Sequence, residues 1–122
     1  MGSYAVVLTT VSSSDEAKKI SSAILEKRLC ACVNIIPGLE SFFHWQGKID
    51  NAKELLLLIK TRKELFDELC AEIKSLHSYS VPEIIMLPIK DGYSTYLEWI
   101  SGNVIERDKK AKRCIKVKQK HR

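Results

Sequence analysis

With 122 residues, 45% of them apolar, and a formal charge of +5, the chain is sized for one domain with one core, and no apolar run approaches the roughly 18 residues of a membrane-spanning helix. The charge is uneven: residues 103–122 carry nine Lys or Arg against Glu106 and Asp108, a net of +7, while residues 1–102 carry eleven against thirteen acidic residues, a net of −2. The basic character therefore sits in a C-terminal extension with no aromatic residue for base stacking, which reads as a solvated tail and argues against nucleic acid as a partner.

Met1-Gly2-Ser3-Tyr4-Ala5-Val6 opens like a myristoylation site but has Val6 where Ser or Thr is required. No basic region leads into an apolar one, as a secretion signal would need. A cytoplasmic protein with no membrane partner is expected. Tyr4 to Thr10 (YAVVLTT) is β-branched and apolar and predicts a first strand. Ser13-x-x-Glu16 has capping-box form, and Ala17, Ile20, Ala23 and Ile24 follow at helical spacing, so a helix is expected over about Asp15 to Lys27. Cys30 to Ile36 (CACVNII) predicts a second strand stopped by Pro37-Gly38, with an extended pattern resuming over Ser41 to Trp45. Gln46-Gly47-Lys48 predicts a tight turn, with Gly47 supplying a positive φ.

The return strand, Glu54 to Thr61 (ELLLLIKT), holds five consecutive aliphatics, Leu55 to Ile59. A strand with one face in water alternates, so this one must be covered on both faces. Helices of so small a domain comfortably cover one face, which points to another subunit over the second. Thr61-x-x-Glu64 predicts another capping box, opening a helix with Leu65, Phe66, Leu69, Cys70, Ile73 and Leu76 on one stripe. The polar His77-Ser78-Tyr79-Ser80 leads through Val81-Pro82 to a strand over Glu83 to Leu87, ended by Pro88. Asp91-Gly92 marks a turn, and Thr95-x-x-Glu98 starts a last helix with Tyr96, Trp99, Ile100 and Val104 on its buried side. Cys114 to Lys120 (CIKVKQK) alternates like an edge strand but is highly charged. Right-handed crossovers turn this order into an α+β, ferredoxin-like βαββαβ sandwich with a long hairpin and a C-terminal helix. Both long helices lie on one face of a four-stranded antiparallel sheet, and the open face is left for oligomer contacts.

Chemistry-bearing motifs are few. The glycines at 2, 38, 47, 92 and 102 are too dispersed for a phosphate or dinucleotide loop. There is no nucleophile elbow, zincin helix or EF-hand loop, and His44, His77 and His121 form no closely spaced pair. An enzyme of a standard hydrolytic or nucleotide-dependent class is not expected. Cys30, Cys32, Cys70 and Cys114 are too sparse for a disulfide framework and read as reduced thiols. His77 and Glu83 could share a divalent metal, with Cys32 as a softer third ligand. The same residues equally suit structural work, since His77 near a helix C-terminus complements the dipole and Glu83 can be hydrogen-bonded where a strand begins.

The segments Ala31-Cys32-Val33-Asn34-Ile35, Trp45-x-Gly47-Lys48-Ile49, Ile59-Lys60-Thr61 and His77-x-Tyr79-x-x-Pro82-Glu83-Ile84 follow in the order and spacing of the CutA divalent-cation-tolerance family, which residues 4–101 resemble, the Tyr96-Leu97-x-Trp99 segment included. The resemblance implies a ferredoxin-like CutA domain over residues 1–102 with a basic extension over 103–122. It also implies a PII-like homotrimer without enzymatic activity, linked to tolerance of copper and other divalent metals. Its bacterial copper-binding members carry a Cys before the first helix and a His-His pair, whereas this chain has Ser13 and Leu76-His77 there, and Ser78 replaces the proline of the family's His-Pro-Tyr. That leaves His77, Cys32 and Glu83 as the metal-site expectation, with Cu(II) or another divalent ion as ligand. The architectural likeness to the PII proteins implies a second expectation, a small polar or anionic ligand in intersubunit clefts lined by Trp45, Lys60, Tyr79 and Glu83. A trimeric scaffold for partner proteins is the third.

Overall fold

The computed structural model describes residues 3–107. Along the chain come β1 (Tyr4–Val11), α1 (Ser14–Glu26), β2 (Cys32–Trp45), β3 (Lys48–Arg62), a 3-10 turn (Lys63–Leu65), α2 (Phe66–Leu76), β4 (Ile84–Pro88) and α3 (Ser94–Gly102). The strands form one antiparallel sheet in the order β2-β3-β1-β4. This is the expected ferredoxin-like arrangement of four strands, with a third helix added.

The alternation of β3 explains where the core sits. Leu57, Ile59 and Thr61 are fully buried and pair with Thr9, Val7 and Ala5 of β1, also fully buried. Against this face pack Ala17, Ile20 and Ile24 of α1 and Leu69 and Ile73 of α2, whose three- and four-residue spacing puts them on one helical stripe. The intervening residues point the other way. Leu56 and Leu58 are half-buried there beside Val6 and Leu8, and Ile85 and Leu87 of β4 remain 45% and 49% exposed. The five-aliphatic run thus has one face in the core and one apolar face without a helix over its middle.

Ser13 caps α1 as expected, its Oγ accepting from the Glu16 amide at 3.1 Å. The Glu16 carboxylate reaches the Ser12 amide and hydroxyl instead of Ser13. The other expected box does not form. Thr61 sits on the core face of β3 and donates its hydroxyl to the Leu29 carbonyl at 2.7 Å, while Glu64 pairs with Arg62 at 2.8 Å. α3 begins after Tyr93, with no side-chain cap from Thr95.

The hairpin is longer than its sequence suggests. Pro37-Gly38 does not stop β2: the register skips between Ile36↔Leu56 and Leu39↔Glu54, and Gly38 takes a φ of 84° at this bulge. A bulge on an edge strand absorbs both the missing proline donor and the left-handed glycine. β3 starts at Lys48, six residues before the expected Glu54. Gln46 (φ 51°) and Gly47 (φ 79°) form the turn between the strands, the two positive φ values of a type I′ hairpin.

α3 also departs from expectation. Ile100 and Val104 are buried, but Tyr96 and Trp99 are 40% and 46% exposed, their rings stacked 5.6 Å apart. The Ser101 hydroxyl meets Tyr4 (2.6 Å) and Arg62 (2.5 Å), the outermost pair on the open face of the sheet. α3 therefore lies over one end of that face, opposite α1 and α2. The body continues past residue 102, since Ile105 packs on the core and donates its amide to the Arg28 carbonyl. The strand-like alternation expected at Cys114–Lys120 lies outside the described residues.

Candidate functional site

The polar segment after α2 folds back onto the end of β1 and the start of α1. α2 stops at Leu76, and His77 is extended (φ −81°, ψ 143°). Its side chain is fully buried, with Nε2 2.8 Å from the Thr10 carbonyl oxygen. That oxygen can only accept, so Nε2 donates. Nδ1 in turn accepts from the Tyr79 amide at 3.1 Å.

Glu16, 62 residues away in sequence, holds the next residue of the loop. Its Oε2 accepts from the Ser78 amide at 2.7 Å and its Oε1 from the Ser78 hydroxyl at 3.1 Å. Burial acts to raise the Glu16 pKa. The donors on Ser78 and Ser12 outweigh it and hold the carboxyl below its ordinary value. Glu16 Oε2 is also 3.5 Å from His77 Nδ1. With Nδ1 accepting from Tyr79, this contact is proximity and not an ion pair.

Tyr79 carries the connection to the hairpin. Its ring lies 4.9 Å from that of His77, and its hydroxyl donates to Glu54 Oε2 at 2.7 Å. The other Glu54 oxygen accepts from the Ser41 hydroxyl at 2.7 Å. Glu54 is 8% exposed, and a carboxylate so placed is satisfied by these two donors. Burial first, and the neighbouring Glu54 second, push the Tyr79 phenol above its ordinary value.

A second polar group lies at the other end of the open face. Cys32 pairs across the strands with Lys60, whose Nζ donates to Asn34 Oδ1. Cys32 Sγ is 4.0 Å from the same oxygen. Tyr96 meets Cys32 from α3; burial, then this thiol, raises its phenol. The neighbouring Cys30 is core, with burial pushing its thiol up to about 12.

These positions separate the expected metal ligands. His77 bonds to Thr10, whereas Cys32 lies in the row of Lys60 and Val6. Four residues along a strand span about 13 Å, far beyond a shared coordination sphere. Glu83 precedes Ile84, the partner of Thr9, so it falls at the His77 end, where it is exposed. Among the described residues no group of three His, Cys, Asp or Glu could hold a metal ion. Within one chain the expected donor set does not fit a resident divalent metal. The expected cleft residues separate too: Trp45 pairs with Lys48 at the hairpin tip, twelve residues along β3 from Lys60, which is about 40 Å. Tyr79 and Glu83 both fall at the His77 end.

Spacing could not reveal Glu54, Ser41 or Ser12 as members of the site. Glu16 was visible only as a helix cap. The one sequence signal was Glu54 itself, a carboxylate opening a run of five aliphatics.

The profile of the "CutA1 divalent ion tolerance protein" family matches residues 5–103. The chain is 50% identical over 98 residues to the "Divalent-cation tolerance protein CutA" of Thermus thermophilus, covering 80% of this chain and 95% of that one. It is 46% identical over 101 residues to the chloroplastic "Protein CutA 1" of Oryza sativa subsp. japonica, covering 83% of this chain but 57% of that longer relative. The crystal structure of CutA1 from Oryza sativa superposes with a TM-score of 0.84 at 44% identity, covering 86% of this chain and 96% of that one. The chain belongs to the CutA1 divalent ion tolerance family.

Proposed function

We propose that the chain acts in divalent metal ion tolerance, copper included, as a non-enzymatic homotrimer. One observation carries the assembly. The open sheet face presents Val6, Leu8, Leu56, Leu58, Ile85 and Leu87 with no helix over its middle. Beyond this face the hairpin extends Phe42, Trp45 and Ile49, which are 69%, 49% and 71% exposed. Contiguous apolar surface of this kind marks a contact with another chain, and closed symmetric association would cover the faces of all copies together. The non-enzymatic reading is supported by the chemistry of the polar groups: His77 and Glu16 are spent on loop backbone, and Glu54 on Tyr79 and Ser41.

Light scattering at micromolar concentration tests the assembly. The expected mass is three times 13.9 kDa, and a monomer sinks the proposal. For the metal role, copper sensitivity of a host lacking its own CutA is expected to be relieved by this chain. Unchanged sensitivity removes it.

A second reading is ligand sensing in intersubunit clefts; with roughly 40 Å between Trp45 and Lys60 in one chain, a cleft lined by both requires two chains. A thermal-shift screen of small anions and nucleotides tests it, and the reading fails if none raises the melting temperature.

A further inference from the structure

His77 sits where three parts of the fold meet, and its ring has no lone pair to spare. The Thr10 carbonyl fixes a proton on Nε2, and the Tyr79 N–H takes the lone pair of Nδ1. Metal ligation by imidazole needs such a lone pair. Ligation through Nδ1 would strip the Tyr79 amide of its acceptor and would have to proceed past Glu16 Oε2, 3.5 Å away. Ligation through Nε2 would remove a proton and break the bond to β1. Leaving a backbone group at this junction without its partner is unfavourable, so either route is opposed by the loop itself.

The surrounding groups complete a different pattern. Ser78 gives both its amide and its hydroxyl to Glu16, which ties the loop to the N-terminus of α1. Tyr79 gives its hydroxyl to Glu54, which also holds Ser41; this ties the loop to both strands of the hairpin at its base. We infer that His77 is the pin of a hydrogen-bonded clasp joining β1, α1 and the hairpin through residues 77–79, and that it is not a ligand of divalent metal in this chain. The inference is independent of the oligomeric state, since every bond in it lies within one chain.

Nitrogen NMR of the full chain, labelled in its histidine rings and titrated with Zn(II), tests this directly. The expected result is the neutral Nε2–H tautomer at His77, unmoved by excess zinc. Calorimetry with Cu(II) gives the second reading: His77→Gln is expected to leave the number of ions bound per chain unchanged and their affinity within about twofold. In the same variant the Tyr79 amide is expected to exchange with solvent about tenfold faster or more. A zinc-dependent shift of either ring nitrogen overturns the inference, as does loss of one Cu(II) per chain on substitution. A wild-type chain that binds neither metal while showing the stated tautomer supports it. If His77→Gln does not fold, the wild-type NMR decides alone.

Discussion

The two halves of β3 are one strand with two fates. From Leu55 to Lys60 it lies between β2 and β1, and Leu57 and Ile59 are fully buried. From Lys48 to Glu54 it pairs with β2 alone, and Ile49 is 71% exposed. The inner half is held by a core of its own chain. The outer half is a two-stranded arm of the kind that is marginal when isolated, and its hold on the body is concentrated at Glu54. The contrast separates what the chain buries by itself from what it leaves exposed.

The largest expected effect lies on the core face of the inner half. Leu57→Ala is expected to cost about 2–5 kcal/mol in denaturant unfolding, through lost burial and the cavity left behind. Its neighbour Leu58 faces the open side. There Leu58→Ala is expected to cost less than Leu57→Ala in dilute protein and more as concentration rises, because association stabilises by mass action. Equal costs at all concentrations would erase the distinction between the two faces.

Next in size is the junction. Tyr79→Phe removes the hydroxyl that donates to Glu54. A hydrogen bond to a charged group contributes about 1.5–3 kcal/mol, so a loss in that range is expected. Amide exchange should quicken along Lys48–Glu54 and stay unchanged at Leu57 and Ile59. A uniform change along β3 would show that the arm and the body unfold as one.

This junction also marks where the sequence stopped being legible. The element order, the buried stripes of α1 and α2 and the double apolar character of Leu55–Ile59 all follow from local pattern, because burial within one chain imposes a period. The arm has no such period. Lys48–Lys53 looks like a loop because both its faces are open in a single chain, and Pro37-Gly38 looks like a stop because a bulge has the composition of a turn. The site was less legible still. His77, Tyr79 and Glu83 stand out by proximity in sequence, but the loop is held by Thr10, Glu16 and Glu54, which lie 67, 62 and 25 residues from His77, Ser78 and Tyr79 respectively. The Thr61 box failed for a tertiary reason: its side chain is turned into the core, onto the Leu29 carbonyl.

A smaller effect is expected from acid at the other anchor of the loop. The folded pKa of Glu16 is lowered from the ordinary value of 4.5. Its contribution to stability is therefore fully present above that value and is lost as pH falls through the lower, folded one. Unfolding curves below pH 4.5 should show Glu16→Gln with a flatter pH dependence than wild type. Parallel slopes for the two would mean that the carboxylate is not what Ser78 and Ser12 hold.

The smallest effect belongs to the tip of the arm, and it is the cleanest probe of the outer half. Gln46 holds a φ of 51° with a long side chain at the first of two positive-φ positions, and Gly47 holds the second. Left-handed backbone costs an ordinary residue about 1–2 kcal/mol, and asparagine less because its short amide bonds locally. Gln46→Asn creates the Asn-Gly pair that type I′ hairpins favour, so a gain of about 0.5 kcal/mol in arm stability is expected. Because the arm opens locally, the gain should appear as slower amide exchange near Trp45 and Lys48, with the global unfolding midpoint unmoved. If the midpoint rises by the full amount instead, the arm is cooperative with the core, and the clasp at Tyr79 and Glu54 is what makes it so.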